Sequence, residues 1–393
     1  MSTFPDIYEL RGNNIRVVMN DNLILNLKKF LDKFVLKEFC DKINIDYTTL
    51  WDYLNRRTAI PLDFFFKIKE RYDADFHKNF RYLESGSMKN KVKIVNSFSK
   101  DLAKILGAHV ADGNLRIRVT KFKENKNAKH YELILREEYE SNVNCFCRWF
   151  NNIFDFDLKY KKEKNHFSIY VSNKVILLYF NKLFGIPLGR KTETIDIPIL
   201  IKNSNKEIKK EFLKGVLMFD GSVEYVTGYV SLVSKSQKLI KSSLLLLEEL
   251  DLYPDYISQV PDKFERYRFI FRKKDKLRKC LGFFETDSDK WFRLKEHLCG
   301  FGNLNGNLNL LISDFEKYYP RKRKNTISFQ DILILFNKKE SFDKNYIARK
   351  LNKKNKTINN FLNKLERWKI LISLHNGKSK IYKLNKNLPI IRR

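Results

Sequence analysis

The stretch LAKILGAHVADGNL (102–115) and the stretch KEFLKGVLMFDGSV (210–223) share one pattern: a glycine, four residues, then Asp-Gly. Their aspartates, Asp112 and Asp220, stand 220 − 112 = 108 positions apart. That interval is the size of a domain and too long for a solenoid unit, so it points to a duplicated domain. Each stretch reads as the end of a helix. In the second, Ile208, Phe212, Gly215, Val216 and Phe219 recur at helical spacing, and Ser204 with Glu207 has the spacing of a capping box. In the first, Leu102, Ile105, Leu106 and His109 form the stripe. Gly113 and Gly221 are expected to stop the two helices as left-handed caps.

Outward from the first helix, apolar Leu115, Ile117 and Val119 alternate with polar Arg116, Arg118 and Thr120, which is the period of a strand. A partner strand is expected over 131–136, a helix over 142–154, strands over 158–162 and 167–171, and a helix over 175–184. The second half repeats the order, with strands over 223–227 and 229–234, a helix over 237–250, strands over 255–260 and 266–272, and a helix over 274–283. The fold class is α+β, two tandem αββαββα domains over 95–203 and 204–318. Two smaller, mostly helical regions flank them at 1–90 and 325–386, joined through polar linkers at 85–91 and 320–325.

The 393 residues carry 77 Lys and Arg against 46 Asp and Glu, a formal charge of +31. Such an excess suits a polyanion. No apolar run approaches the roughly 20 residues of a membrane span, and the basic residues are spread along the chain, so nucleic acid is favoured over a membrane surface. No secretion signal is read at the start, and the expected location is cytoplasmic, at the nucleoid, or organellar. Cys40, Cys145, Cys147, Cys280 and Cys299 form no CxxC pair and are expected as reduced thiols.

An aspartate at the C-terminal end of a helix faces the negative pole of the dipole, at a cost of about 0.3–1 kcal/mol. Two such helices side by side would bring two carboxylates together. A divalent cation removes both problems, and Mg²⁺ takes carboxylate oxygens while keeping water and phosphate oxygens as further ligands. Gly107, Ala108 and Gly215 are small enough to let the two backbones meet. The residues alone therefore suggest Asp112 and Asp220 as a metal-bridging pair at a pseudo-twofold helix interface.

ILGAHVADG (105–113) and FLKGVLMFDG (212–221) resemble the two signature helices of monomeric LAGLIDADG homing endonucleases, and LFGIPLGRKTETIDIPILI (183–201) resembles the bridge between that family's halves. The resemblance covers about residues 95–318. It implies two four-stranded sheets forming a saddle in the DNA major groove, and Mg²⁺-dependent double-strand cleavage by a metal-activated water, with Mn²⁺ as a substitute ion. It implies that Asp112 and Asp220 bind the metal and that Lys191 is the basic residue supporting the catalytic site, with Lys290 a looser counterpart in the second half. His109, Ala111, Met218 and Phe219 depart from the signature letters without removing the acidic pair. An intein host is not expected, because the chain neither starts with Cys or Ser nor ends in His-Asn.

Double-stranded DNA is the expected partner. Arg116 and Arg118 would share one strand face opposite Leu115 and Ile117, and in RYRFIFR (266–272) Arg266, Arg268 and Arg272 would share another. Residues 36–57 resemble a helix-turn-helix whose second helix would present Thr48, Thr49, Arg56 and Arg57. Residues 325–386 resemble a winged helix, with Lys356 and Asn359 on the recognition helix and Lys378 and Lys380 on the wing. The resemblance implies that a monomer suffices. The rival readings are a non-cleaving DNA-binding transcription regulator and a maturase acting on intron RNA.

Overall fold

The computed structural model describes residues 5–85, 91–121, 127–224, 227–299, 328–338, 341–368, 370–376 and 379–385. Helices mix with four small antiparallel sheets among these residues, which is the α+β class expected. The chain divides into two compact units. One comprises Met1–Asp220, Ser234–Tyr253 and Val260–Tyr267, and the other Gly221–Val233, Pro254–Gln259 and Arg268–Arg393.

The N-terminal region holds α1 (Asp21–Leu31), α2 (Leu36–Ile43), α3 (Tyr47–Leu54) and α4 (Leu62–Tyr72). Asn44 takes the left-handed backbone, φ 52°, that turns α2 into α3. These helices lie with a sheet that the sequence pattern does not reveal, ordered β2-β1-β3-β4 from β1 (Ile15–Val17), β2 (Ile60–Pro61), β3 (Tyr82–Ser85) and β4 (Val92–Lys93). Its strands are two to four residues long, too short to show an alternation. Aromatic rings fill the core, among them Phe65 and Phe80 with centroids 4.8 Å apart.

The first half runs α5 (Lys100–Asp112), β5 (Gly113–Lys121), β6 (Asn127–Glu137), α6 (Glu140–Phe154), β7 (Tyr160–Lys162), β8 (Phe167–Ser172) and α7 (Lys174–Leu178), which continues as a π turn over Tyr179–Leu183. Its sheet order is β5-β6-β8-β7. Leu102 through Val110 are buried without a break, so α5 is a core helix, apolar or small nearly all round. Trp149, Phe146, Phe150 and Phe154 of α6 and Phe180 and Phe184 beyond α7 supply much of the bulk.

The second half runs α8 (Ile199–Lys202), α9 (Lys206–Phe219), β9 (Gly221–Val223), β10 (Val230–Ser234), α10 (Gln237–Glu249), β11 (Tyr256–Ile257), β12 (Tyr267–Phe271), α11 (Lys274–Cys280) and α12 (Asp289–Cys299), with sheet order β11-β12-β10-β9. The repeated αββαββα order is therefore present in both halves. Of the strand expected over 223–227, β9 reaches Val223 and residues 225–226 lie outside the described residues; beyond it the Glu224 carboxylate accepts the Thr227 N–H at 2.7 Å and Gly228 turns at φ +69°.

The C-terminal region holds α13 (Phe329–Lys338), β13 (Ser341–Asp343), α14 (Lys344–Lys350), α15 (Asn355–Arg367), β14 (Leu371–Asn376) and β15 (Ser379–Leu384), with sheet order β13-β15-β14. Helices predominate, as expected for this region, and the three-residue β13 pairs with β15. Lys378, the linker at 320–325 and most of the linker at 85–91 lie outside the described residues. Cys40, Cys145, Cys147 and Cys280 are buried free thiols, and burial pushes the Cys147 thiol up to about 11. The side chain of Cys299 lies outside the described residues. No helix among the described residues is long and apolar enough to cross a membrane.

Candidate active site

Two capped helices carry the two aspartates. Ser99 Oγ accepts the Leu102 N–H at 3.1 Å to start α5, and Asn205 Oδ1 accepts the Ile208 N–H at 3.0 Å to start α9. The expected capping box does not form: Ser204 lies before the cap, and its hydroxyl donates back to the Leu200 carbonyl at 2.6 Å. A neighbouring asparagine at the capping geometry wins over the serine.

The helices meet backbone to backbone. A methyl group added at Gly107 would overlap the Phe212 carbonyl and stand 2.9 Å from Val216 N. One added at Gly215 would overlap the Lys104 carbonyl and stand 2.8 Å from Ala108 N. Each glycine is thus the contact point for the other helix, as the small-residue pattern suggested. Asp112 is the last residue of α5 and is exposed; Asp220 is the C-cap of α9 and is half-buried.

Neither following glycine is a left-handed cap. Gly113 has φ −76° and an extended backbone, and β5 starts on it; Gly221 likewise opens β9. What Gly113 provides is space, since a Cβ there would strike the imidazole of His109. That ring is fully buried, edge-on to Phe180 at 5.0 Å, and neither ring nitrogen has a hydrogen-bond partner among the described residues. Burial, with help from the Lys191 charge, holds His109 well below its usual proton affinity. It is a neutral packing residue.

Lys191 arrives from the bridge between the halves. Gly185 and Gly189 turn that segment at φ +69° and +77°, and the Gly189 N–H donates to the Leu115 carbonyl at 2.7 Å. The buried Lys191 ammonium donates to the carbonyls of His109 and Val110, the latter at 2.6 Å, in the last turn of α5. Burial pushes its pKa down to about 7, while the charges of Asp112 and Asp220 both pull it back up. One lysine thus feels both carboxylates. Among the described residues no group of three or more His, Cys, Asp or Glu is arranged to hold an ion.

A residue that the sequence pattern did not single out serves the other helix end. Asn142 is buried at the start of α6, and its amide donates to the Met218 carbonyl at 2.8 Å and to Glu137 Oε2 at 3.1 Å. The signal was faint: an asparagine at an otherwise apolar position of an amphipathic helix. Lys290 is buried in the other compact unit from Lys191.

The basic residues are placed as follows. Arg116 is directly across from Glu132 in the β5–β6 ladder and pairs with it, and Arg118 reaches the same carboxylate at 3.4 Å. Ile117 and Val119, expected to be covered, are 41% and 52% exposed, because this end of β5 runs past the core. Arg266 is forked onto Asp262 at 2.8 and 3.1 Å, whereas Arg268 is half-buried and Arg272 is exposed with its guanidinium 5.1 Å from the Tyr256 ring centre. On and after α3, Thr48 is exposed, Thr49 half-buried, Arg56 paired with Asp21, and Arg57 3.5 Å from Asp52. On α15 Lys356 is exposed and Asn359 half-buried, while Lys380 of β15 pairs with Glu366 at 2.7 Å.

No family model matches the chain. Among curated proteins it is similar to a polypeptide of the A-type ATP synthase of Pyrococcus abyssi, 25% identical over 189 residues, 48% of this chain and 17% of that protein. It is similar also to the small subunit of replication factor C from Methanocaldococcus jannaschii, 31% identical over 134 residues, 32% of this chain and 7% of that protein. A DNA polymerase of Thermococcus hydrothermalis is 28% identical over 151 residues, 38% of this chain and 8% of the polymerase. The chain thus matches less than a fifth of the length of each of these relatives. Among solved structures, the homing endonuclease I-DmoI superposes with a TM-score of 0.36 at 17% identity, covering 47% of this chain and 94% of that one. The meganuclease I-SmaMI bound to uncleaveable DNA gives 0.36 at 14% identity, covering 51% and 91%. I-DmoI in complex with DNA and Mn gives 0.35 at 16% identity, covering 47% and 96%.

Proposed function

We propose that the chain is a site-specific, divalent-metal-dependent double-strand DNA endonuclease of the LAGLIDADG homing type. One observation carries the reading. Two helices crossing at paired glycines each end in an aspartate, and both carboxylates act on the same buried lysine. Structural ion clusters also shift proton affinities, so the weight falls on the convergence of both helix-end charges on one ammonium held in the last turn of α5.

The donor set fits Mg²⁺, which needs only one or two protein carboxylates and completes its shell with phosphate oxygens and water. Asp112 and Asp220 would hold the ion, and Mn²⁺ suits the same oxygens. When bound, the ion would offset the two negative charges at the helix ends and polarise the phosphodiester. The protein's own part is positional. Gly107 and Gly215 fix the separation of the helix ends. Lys191 commits two hydrogens of its ammonium to the His109 and Val110 carbonyls and, with its pKa near 7, can hold or release a proton at Nζ near neutrality. That suits a group tuning charge at a reacting phosphate.

Around this centre the reading assigns residues 1–90 to a helix-turn-helix arm, 95–203 and 204–318 to the two catalytic halves, and 325–386 to a winged-helix arm. Arg116 and Arg118, held by Glu132, and Arg266, held by Asp262, would meet base edges with their guanidinium planes already fixed. A bidentate arginine–guanine contact discriminates by about 1–3 kcal/mol. The test is a cleavage-site selection from a randomised duplex library with Mg²⁺ or Mn²⁺. One long sequence should emerge, cut on both strands. Specific binding without cutting would overturn the nuclease in favour of a regulator, and splicing of intron RNA without DNA binding would favour a maturase.

A further inference from the structure

Helix α15 does not offer a single recognition face. Ile358, Leu362 and Leu365 pack into the C-terminal core. On another face Asn360, Asn363, Lys364 and Arg367, at i, i+3, i+4 and i+7, line a cleft of about 530 Å³ whose opposite wall is built by the second half. That wall presents Tyr229, Arg272 and Lys274. Lys364 is only 3% exposed, with its ammonium 4.7 Å from the Trp368 ring centre. The Arg272 guanidinium lies over the Tyr229 ring at 5.7 Å.

Charge in this cleft is lopsided. Among the described residues, Arg272, Lys274, Lys364 and Arg367 stand against one lining carboxylate, Glu224, which already accepts hydrogen bonds from the Thr227 N–H and hydroxyl. The cations act on one another. Burial and then Arg367 drive Lys364 down to about 7 against the pull of Glu224, and burial followed by Lys364 and Arg367 drives the lining His297 down to about 4. Gly228 adds to the enclosure, since its positive φ and the absence of a Cβ let the loop close directly on the His297 ring. Two guanidinium forks, two ammonium groups and two side-chain amides are the donors a phosphate takes. The polar row also continues past the cleft to exposed Lys356, and 356 to 367 spans about 16 Å of helix. A free phosphate needs no such length, but a strand rising about 3.4 Å per nucleotide does.

We propose that this cleft binds phosphate groups of a nucleic-acid backbone, so that the second half and α15 grip the same strand. The inference rests on the reading of the protein as a DNA binder and is tested without cleavage. Lys274 and Arg367 are exposed, so Lys274→Gln with Arg367→Gln should leave the fold intact, as thermal melting will verify. For the full chain on a non-specific duplex, log affinity against log salt should lose about 1.8 of its slope, at about 0.9 per phosphate contact. A control with the same charge change at exposed Lys238 and Lys241 of α10 should lose less. Asn363→Asp, which puts a charge in the cleft, should weaken binding at low salt. A slope equal to that of wild type or of the control overturns the proposal. So does a cleft that is stabilised by inorganic phosphate, lost in the double variant, with the duplex slope unchanged, because the ligand is then a free anion. The two readings separate cleanly: a slope change in a protein that cuts nothing keeps the cleft and removes the nuclease, and normal cutting with an unchanged slope does the reverse.

Discussion

The last turn of α5 and the last turn of α9 face the same physical problem and meet it with different chemistry. A helix end leaves carbonyls without intrahelical partners, and buried ones need a donor. At α5 the donor is the Lys191 ammonium, on the Val110 carbonyl and, alongside the Gly113 N–H, on the His109 carbonyl. At α9 it is the Asn142 amide, on the Met218 carbonyl, itself anchored by Glu137, which also accepts the N–H groups of Glu138 at 2.7 Å and Tyr139 at 3.1 Å. The first solution brings a titrating cation to the acidic pair; the second is neutral and fixed. Two halves that look equal at Asp112 and Asp220 are unequal one layer behind them.

The largest effect tests what the halves share. Asp112→Asn and Asp220→Asn keep side-chain shape and lose charge, and each should reduce double-strand cutting by more than about 100-fold, beyond the range seen for residues behind metal ligands. Binding to the target in Ca²⁺ should stay near wild type. A gel showing full cutting by either variant would break the symmetric part of the comparison.

Next comes the unequal layer. Lys191→Met should slow cutting by about 10–100-fold. Asn142→Leu should instead lower stability by about 1–3 kcal/mol, because the Met218 carbonyl and Glu137 lose a buried donor, with a smaller change in the rate per folded molecule. Single-turnover kinetics and denaturant unfolding on both variants separate the two; matching profiles would mean that the charge at Lys191 has no special part.

The glycine crossing should be even-handed. Gly107→Ala and Gly215→Ala each push a methyl into facing backbone, which cannot move like a side chain, and each should cost about 1–3 kcal/mol. A melting series in which one is neutral would show that the helices can slide apart on that side.

A separate effect is in pH. The folded pKa of Lys191 is pushed down to about 7 from an unfolded 10.5. Between those values the unfolded chain binds more protons, so stability rises with pH across that window and is flat below it with respect to this group. With chelator present, the difference in unfolding free energy between wild type and Lys191→Met should therefore shift in favour of wild type from pH 7 to 10. A pH-independent difference would place the ammonium in solvent.

The doubled Gly-x4-Asp-Gly pattern was enough to find both helices and their crossing glycines, and apolar alternation to find the chain order of the strands around them, because periodicity and small residues are local signals. Local readings failed where a competitor stood close by. Asn205 capped α9 in place of Ser204, and the glycines after the aspartates proved to be strand starts, with room for His109 as the reason at Gly113. Strands of two or three residues in the flanking regions were invisible, since they exist only by pairing with distant partners.

By itself the sequence determined the duplication, the basic charge and the two acidic helix ends. Tertiary structure alone decided which donors meet those ends. Lys191 comes from 81 and 82 positions away and Asn142 from 76. The reason is that a buried carbonyl accepts from any donor the fold delivers at the right distance, and neither composition nor period records which one arrives.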